Sequence, residues 1–174
     1  MSLGSIIIEA MLPTDWEEVK LIYLEGIATK NATFETNAPL WEVWDKAHRP
    51  DCRLVARINN KVTGWAALSN VSSRKVYAGV TEVSIYIGEA FRGQGIGNKL
   101  MEVLIKESEV NGIWTLQAGI FPENKASIRL HEKYGFRVLG KREKVGKMDD
   151  WWRDVVLMER RSSIVGREGL FVKI

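Results

Sequence analysis

Three glycines at alternate positions, Gly93, Gly95 and Gly97, stand between a segment that alternates like a sheet strand and one that repeats like a helix. Upstream, Thr81-Glu82-Val83-Ser84-Ile85-Tyr86-Ile87 is rich in β-branched and aromatic residues with a period of two. Downstream, Asn98 to Val110 puts Leu100, Met101, Leu104 and Ile105 on one helical face, and Asn111-Gly112 ends it. Strand, glycine turn and helix in that order leave backbone N–H groups unobstructed at the positive end of a helix dipole, where a pyrophosphate can bind without charged side chains. The same layout also serves as a tight connection with no ligand, and the glycines alone do not decide between the two. Their spacing does disfavour two nucleotide loops. It is not G-x-G-x-x-G, and Lys99 is followed by Leu100, which offers no hydroxyl for the magnesium of a nucleoside-triphosphate loop.

The rest of the chain reads as further strands and helices around this unit. Ser5 to Ala10 is a short β-branched strand after a Met1 to Gly4 leader, and a helix with Thr14 or Asp15 as its cap follows, with Val19, Ile22, Tyr23 and Ile27 inward. Lys30 to Ala38 has neither period and carries Phe34, so it reads as a functional loop. Pro39 opens a second short helix that Arg49-Pro50 closes. Cys52 to Ile58, Asn59-Asn60 and Lys61 to Leu68 predict a hairpin, and Ser69 to Gly79 is irregular. Ile113 to Phe121 is a strand, Asn124 to Tyr134 a helix stopped by Gly135, and Phe136 to Glu143 and Trp151 to Glu159 two last strands; the tail beyond Arg160 has no assignment. Hairpins mixed with strand–helix–strand units predict one α/β domain over residues 1–174 with a sheet of mixed direction.

Composition narrows the class. With one Cys and two His in 174 residues, no internal disulfide and no structural zinc set can form, and a chain this long needs neither to hold a core. No run approaches the roughly 20 apolar residues that cross a bilayer, and no secretory signal opens the chain, so a cytoplasmic protein without membrane contact is expected. The net charge of +3 is a weak argument for polyanions. Arg137, Lys141, Arg142, Lys144 and Lys147 form a charge cluster without interleaved aromatics, which reads as a solvated face, so no nucleic-acid partner is expected.

Arg92-Gly93-Gln94-Gly95-Ile96-Gly97 resembles the [RQ]-x-x-G-x-[GA] signature of the GNAT superfamily of acyl-CoA N-acyltransferases, and Asn124-Lys125-Ala126-Ser127 with the helix ending at Gly135-Phe136 resembles that family's later pattern. Within it, Ala32-Thr33-Phe34-Glu35-Thr36, Arg74-x-x-Tyr77, Glu82-x-Ser84-x-Tyr86, Leu130-His131-Glu132-Lys133 and Trp152-Arg153-Asp154 resemble the phosphinothricin and methionine sulfoximine N-acetyltransferase group. Lys147 to Trp151 departs from that group's basic and aromatic segment. The resemblance implies an α+β fold whose mixed, mostly antiparallel sheet is splayed between strands four and five and flanked by helices on both faces. It also implies acetyl-CoA as co-substrate, direct transfer to the α-amino group of a small amino-acid analogue, no metal, and a homodimer.

The same resemblance distributes the roles. Arg92, Gly93, Gln94, Gly95, Ile96 and Gly97 would hold pyrophosphate; the main chain of Ile85, Tyr86 and Ile87 would pair with pantetheine and polarise the thioester carbonyl. Asn124, Ser127 and His131, at i, i+3 and i+7, share a helical face that would point at the cofactor. Glu82 would take the amine proton, directly or through a water, since a carboxylate drawn into a cleft loses hydration and becomes a better base. The competing account is an ordinary strand glutamate. His131 would return a proton to the departing thiolate or only bond the sulfur, against a plain structural histidine. Arg74, with Tyr77, would fork the substrate carboxylate, and Phe34 and Thr36 would wall the pocket; a solvated arginine and a hydrophobic staple are the alternatives. His48 and Cys52 read as structural. Two rival functions share the motifs: acetylation of another amine, polyamine or protein N-terminus, and a non-catalytic acyl-CoA-binding regulatory domain. An open groove would favour a protein acceptor and an acidic pocket a polyamine.

Overall fold

Asn59 and Asn60 both take positive φ, 50° and 63°, and so close the expected hairpin between β2 (Leu54–Ile58) and β3 (Lys61–Asn70) with a turn whose twist matches its strands. This computed structural model describes residues 4–167. Around the hairpin lie β1 (Ile7–Ala10), β4 (Val80–Ile87), β5 (Thr115–Ile120), β6 (Arg137–Met148) and β7 (Trp151–Arg161), forming a seven-stranded sheet in the order β1-β2-β3-β4-β5-β7-β6. All neighbours are antiparallel except β4 and β5. The helices are α1 (Trp16–Ala28), α2 (Trp41–Ala47), α3 (Ile96–Val110) and α4 (Lys125–Lys133).

Both faces of the central strands are covered, which is why β2 and β3 are almost continuously buried where one-sided strands would alternate. On one face Leu54, Ala56, Ala66 and Leu68 pack with Leu100, Met101 and Leu104 of α3, and with Phe136 and Met158. On the other, Val55, Trp65 and Ala67 meet Trp16, Val19 and Ile22 of α1 and Trp44 of α2. The alternation of β2 and β3 thus feeds two cores, each closed by the apolar stripe of its own helices.

Several boundaries differ from the sequence expectation, each for a local reason. The helix expected from Asn98 starts at Ile96, because Gly95 takes the left-handed conformation (φ 84°) as its N-cap and frees the chain to turn at once. Asp15 precedes α1 as expected, but its carboxylate accepts from the Leu12 N–H at 2.9 Å and pairs with Arg57 instead of capping the helix. The last strands run longer than their apolar patterns, since β6 continues to Met148 through polar residues held by pairing with β7. The start of the unassigned tail is tied down: Ser162 is buried, its N–H donates to the Trp114 carbonyl at 2.8 Å and its Oγ to Glu109 at 2.9 Å. The leader residues 1–3 and the tail residues 168–174 lie outside the described residues. Among the described residues no helix is long and apolar enough to cross a membrane.

Candidate active site: two cavities in a forked sheet

β4 and β5 pair at only three rungs, Val80 with Thr115, Thr81 with Leu116 and Glu82 with Gln117. Beyond Glu82, β4 runs on to Ile87 while β5 leads to Phe121, and the sheet forks. Two cavities fill the fork and share Ala32, Ile85, Tyr86, Asn124 and Ser127 on their common boundary.

The first, of about 490 Å³, lies over the glycine loop and the start of α3. Ile85, Tyr86 and Ile87 line it from β4, Arg92, Gly93, Gly95, Ile96 and Gly97 from the loop, and Asn124 and Ser127 from α4. Gly93 and Gly95 have φ of 75° and 84°, and a Cβ added at either would meet nothing within 4 Å, so the loop presents bare backbone to the cavity. The first N–H bonded within α3 is that of Lys99, donating to Gly95 at 3.2 Å, which leaves the N–H groups of Ile96, Gly97 and Asn98 at the positive helix end for a ligand. Gln94 does not line this cavity; its amide Nε2 donates to the Ala90 carbonyl at 3.0 Å. The Arg92 Nε likewise donates to the Ile87 carbonyl at 3.4 Å. Along the fork, β4 from Val83 onward has lost β5 as a partner, which leaves main-chain groups on that edge for an extended ligand.

The second cavity, of about 620 Å³, lies between the loop after α1 and the β6–β7 hairpin. Glu82 stands at its edge on the last paired rung, where the Gln117 Nε2 donates to its Oε2 at 3.2 Å. It is exposed, contrary to the desolvated cleft position expected from the sequence, because the strands part immediately beside it. Phe34 walls the cavity, its ring edge-to-face on Phe121 with centroids 4.9 Å apart. Asn124 ties that loop down: its Nδ2 donates to the Asn31 carbonyl at 3.1 Å while its Oδ1 caps α4 by accepting from the Ser127 N–H at 3.2 Å.

His131 lines the same cavity and is 2% exposed. Its Nδ1 lies 2.8 Å from the Ser127 carbonyl, an atom that only accepts, so Nδ1 carries the proton. Burial pushes the His131 pKa down, with the bond to Ser127 opposing in part, so the ring is neutral at pH 7 with a lone pair on a buried Nε2 that has no partner among the described residues. A neutral ring in this tautomer accepts at Nε2, and can donate from that atom only after taking up a proton. Tyr86 stacks on Trp65 at 4.8 Å and meets Tyr23 edge-to-face at 5.0 Å, and burial raises both phenol pKa values, so both stay protonated donors.

Not every expected residue reaches the fork. Arg74 and Tyr77 line neither cavity; Arg74 caps and Tyr77 ends a single 3-10 turn on the exposed segment before β4, where the guanidinium lies 5.5 Å from the phenol ring centroid. Thr36 also lines neither. In their place the structure brings in Tyr23, Glu35, His48, Gln117 and Arg142. His48 is stacked on Trp44 with its Nδ1 2.8 Å from the Trp44 carbonyl, as a structural residue would be, yet one side of it faces the cavity. Cys52 is buried beside Asn111, its thiol pKa pushed up to about 12 by burial, as expected of an inert thiol. No group of metal-ligating side chains occurs among the described residues.

Residues 14–136 match the model of the acetyltransferase (GNAT) family. The chain belongs to that family. The L-methionine sulfoximine/L-methionine sulfone acetyltransferase of Salmonella typhimurium is 37% identical over 106 residues, 61% of this chain and 62% of that protein. The phosphinothricin N-acetyltransferase of Alcaligenes faecalis is 32% identical over 157 residues, 84% of this chain and 77% of that protein. Among solved structures, a Salmonella typhimurium protein described as an acetyltransferase and solved with its cofactor acetyl-CoA superposes with a TM-score of 0.85 at 27% identity, covering 96% of this chain and 99% of that one. The chain is an acetyl-CoA-dependent GNAT N-acetyltransferase, and its glycine-loop cavity fits the co-substrate: free helix-terminal N–H groups for phosphate and an unpaired strand edge for the pantetheine arm.

Proposed function

We propose that this GNAT enzyme acetylates the α-amino group of a small amino-acid analogue of the methionine sulfoximine or phosphinothricin type. The observation that carries this reading is the second cavity: about 620 Å³, walled by Phe34 and the β6–β7 hairpin, and sharing Ile85 and Tyr86 with the glycine-loop cavity. Its size suits a small molecule, in line with the acceptors named for the relatives.

In this reading the amine nitrogen attacks the thioester carbonyl, the new C–N bond forms as the C–S bond breaks, and coenzyme A leaves as thiolate. A main-chain N–H of the unpaired β4 edge polarises the carbonyl. The ammonium proton passes to Glu82, directly or through a water, at the fork where that carboxylate stands. His131, neutral and bare at Nε2, is a second acceptor for a proton leaving the amine. Arg92, Gly93, Gly95, Ile96 and Gly97 hold the pyrophosphate, with Asn124 and Ser127 along the pantetheine arm.

A second acceptor class has one observation in its favour. Glu35 and Glu82 both line the cavity against the single guanidinium of Arg142, and an acidic pocket suits a polyamine. Release of coenzyme A thiol from acetyl-CoA, with methionine sulfoximine, spermidine or no acceptor, separates the readings: saturable release with the sulfoximine is expected, and release with spermidine alone would overturn the amino-acid reading.

A homodimer in a reducing, cytoplasmic setting completes the proposal. Edge strand β6 is twelve residues long and exposed along most of its length, and Trp151 and Trp152 beside it are 77% and 60% exposed, a surface suited to a second copy of the chain. A solution mass of twice the chain mass is expected, and a monomer would remove the dimer.

A further inference from the structure

The charges that face the acceptor cavity are few: Glu35 on the loop after α1, Glu82 at the fork and Arg142 on β6. Arg142 is the one lysine or arginine among the lining residues, and among the described residues its side chain makes no hydrogen bond or ion pair. Two basic neighbours on the hairpin, Lys141 and Arg153, are engaged. Lys141 pairs with Asp154 at 3.3 Å and Glu143 at 3.4 Å; Arg153 donates to the Lys30 carbonyl at 2.9 Å, pairs with Glu123 at 3.2 Å and lies 3.9 Å from the Phe121 ring centroid.

The hairpin is built to keep Arg142 on the cavity side. Arg142 stands opposite Val155, another cavity residue, whereas Lys141 stands opposite Val156, which packs into the core on the other face. Directly after Arg142 the register slips before resuming at Gly146. Within the slip Lys144 takes φ 48° and its N–H donates to Asp154 Oδ1 at 2.8 Å. Such a bulge re-aims side chains. Here it also brings Gly146 against the Phe34 ring, where a Cβ would lie 2.5 Å from Cζ, so the cavity wall and Arg142 are set by one feature.

We propose that Arg142 is the anchor for the substrate's carboxylate, and that Glu35 and Glu82 restrict the side chain to uncharged groups, making this chain selective for sulfone- and sulfoximine-type amino acids over phosphinate-bearing ones. The inference rests on the amino-acid reading above and narrows it. A guanidinium offers a carboxylate two parallel N–H donors, and Arg142 has its donors free for that fork. A second anion, such as the phosphinate of phosphinothricin, meets two carboxylates and no second cation among the lining residues, a like-charge arrangement that selects against it. A polyamine gains from the carboxylates but meets the like charge of the guanidinium.

The test is steady-state thiol release by the full chain with acetyl-CoA and three acceptors: methionine sulfone, phosphinothricin, and 3-(methylsulfonyl)propylamine, which is the sulfone without its carboxylate. Wild type should favour the sulfone over phosphinothricin by about tenfold or more in kcat/KM, and Arg142→Gln should raise KM for the sulfone by about tenfold or more, the size expected for a lost charge-assisted fork. The same variant should leave KM for acetyl-CoA and the rate on the decarboxylated amine unchanged, Arg142→Lys should restore part of the loss, and Glu35→Gln should narrow the gap to phosphinothricin. Unchanged acetyl-CoA kinetics also show that the variants are folded. An Arg142→Gln enzyme that loses as much on the decarboxylated amine as on the sulfone, or a wild type that prefers phosphinothricin, overturns the inference while the amino-acid reading stands. Failure of wild type to acetylate either amino acid overturns that reading and the inference with it.

Discussion

The two halves of the fork are made in different ways. The glycine-loop half is main chain: two left-handed glycines, a helix start and an unpaired strand edge, all contributed by one stretch from β4 into α3. The acceptor half is side chains from far-apart segments: Phe34 and Glu35 after α1, His48 after α2, Arg142 and Gly146 on β6, and His131 on α4. A main-chain site tolerates almost any side chain that does not intrude, so its demands fall on glycine positions. A side-chain site can be retuned by one substitution and depends on distant elements arriving together. The contrast predicts that damage to the first half will be severe and indifferent to the acceptor, and that damage to the second will be graded and acceptor-specific.

The sharpest break in the first half is Gly95→Val. Its φ of 84° places a β-branched residue in a conformation costing about 1–2 kcal/mol, and the new side chain enters the cavity from the helix start. Losing two backbone donors to phosphate corresponds to roughly a 100-fold or greater loss of acetyl-CoA affinity, measurable by calorimetry and equal for every acceptor. Glu82→Gln, at the joint between the halves, should lower kcat by about 100-fold with acetyl-CoA affinity unchanged. Turnover that is unaltered across the pH range would remove Glu82 from the mechanism.

The same contrast explains what could be read in the sequence. Gly93, Gly95 and Gly97 lie within five residues of one another and next to a strand and a helix with clean periods, so local pattern offers a phosphate cradle beside a plain connection, and the family resemblance chooses the cradle and adds Asn124, Ser127 and His131, which share one helical face. The splay itself came from family resemblance, and the three-rung pairing of β4 with β5 bears it out. In the sequence Arg142 is one of five basic residues on an expected solvated face, because only the register of β6 on β7 and its bulge separate it from Lys141. Arg74, expected to fork the substrate carboxylate or to be solvated, lies with Tyr77 at an exposed 3-10 turn before β4 and lines neither cavity. His48 reads as structural in the sequence, and stacking on Trp44 holds it with one side on the cavity. Charge and contact across a sheet are properties of register, and register is not a local pattern.

A smaller effect sharpens the acceptor half. Gly146→Ala puts a methyl group 2.5 Å from the Phe34 Cζ, so the ring must move off Phe121 and the wall it forms must loosen. The KM for an amino-acid acceptor should rise by roughly three- to tenfold, about 1 kcal/mol of lost positioning, while that for acetyl-CoA stays put. In a Phe34→Ala background the same change should add almost nothing, since the clash has been removed, and an additive result would show that Gly146 acts elsewhere.

The smallest expected effect is on stability, and it too falls on the acceptor half, because both histidines of the chain line it. Burial lowers the pKa of His48 and of His131, so each takes up its proton more readily in the unfolded chain than in the native one. As pH falls through the ordinary histidine value of 6.5, the unfolded state binds protons that the native state does not, and stability drops until the native pKa values are reached. Above 6.5 neither group contributes a slope. The melting temperature should therefore be flat from pH 8 to about 7 and fall on acidification below about 6.5, with His131→Gln showing a shallower fall than wild type. Acetyl-CoA, which occupies the other half, should raise both curves without changing the difference between them. Equal slopes for the variant and wild type would mean that His131 is hydrated in the native protein, and its role as a neutral acceptor at Nε2 would lose its physical basis.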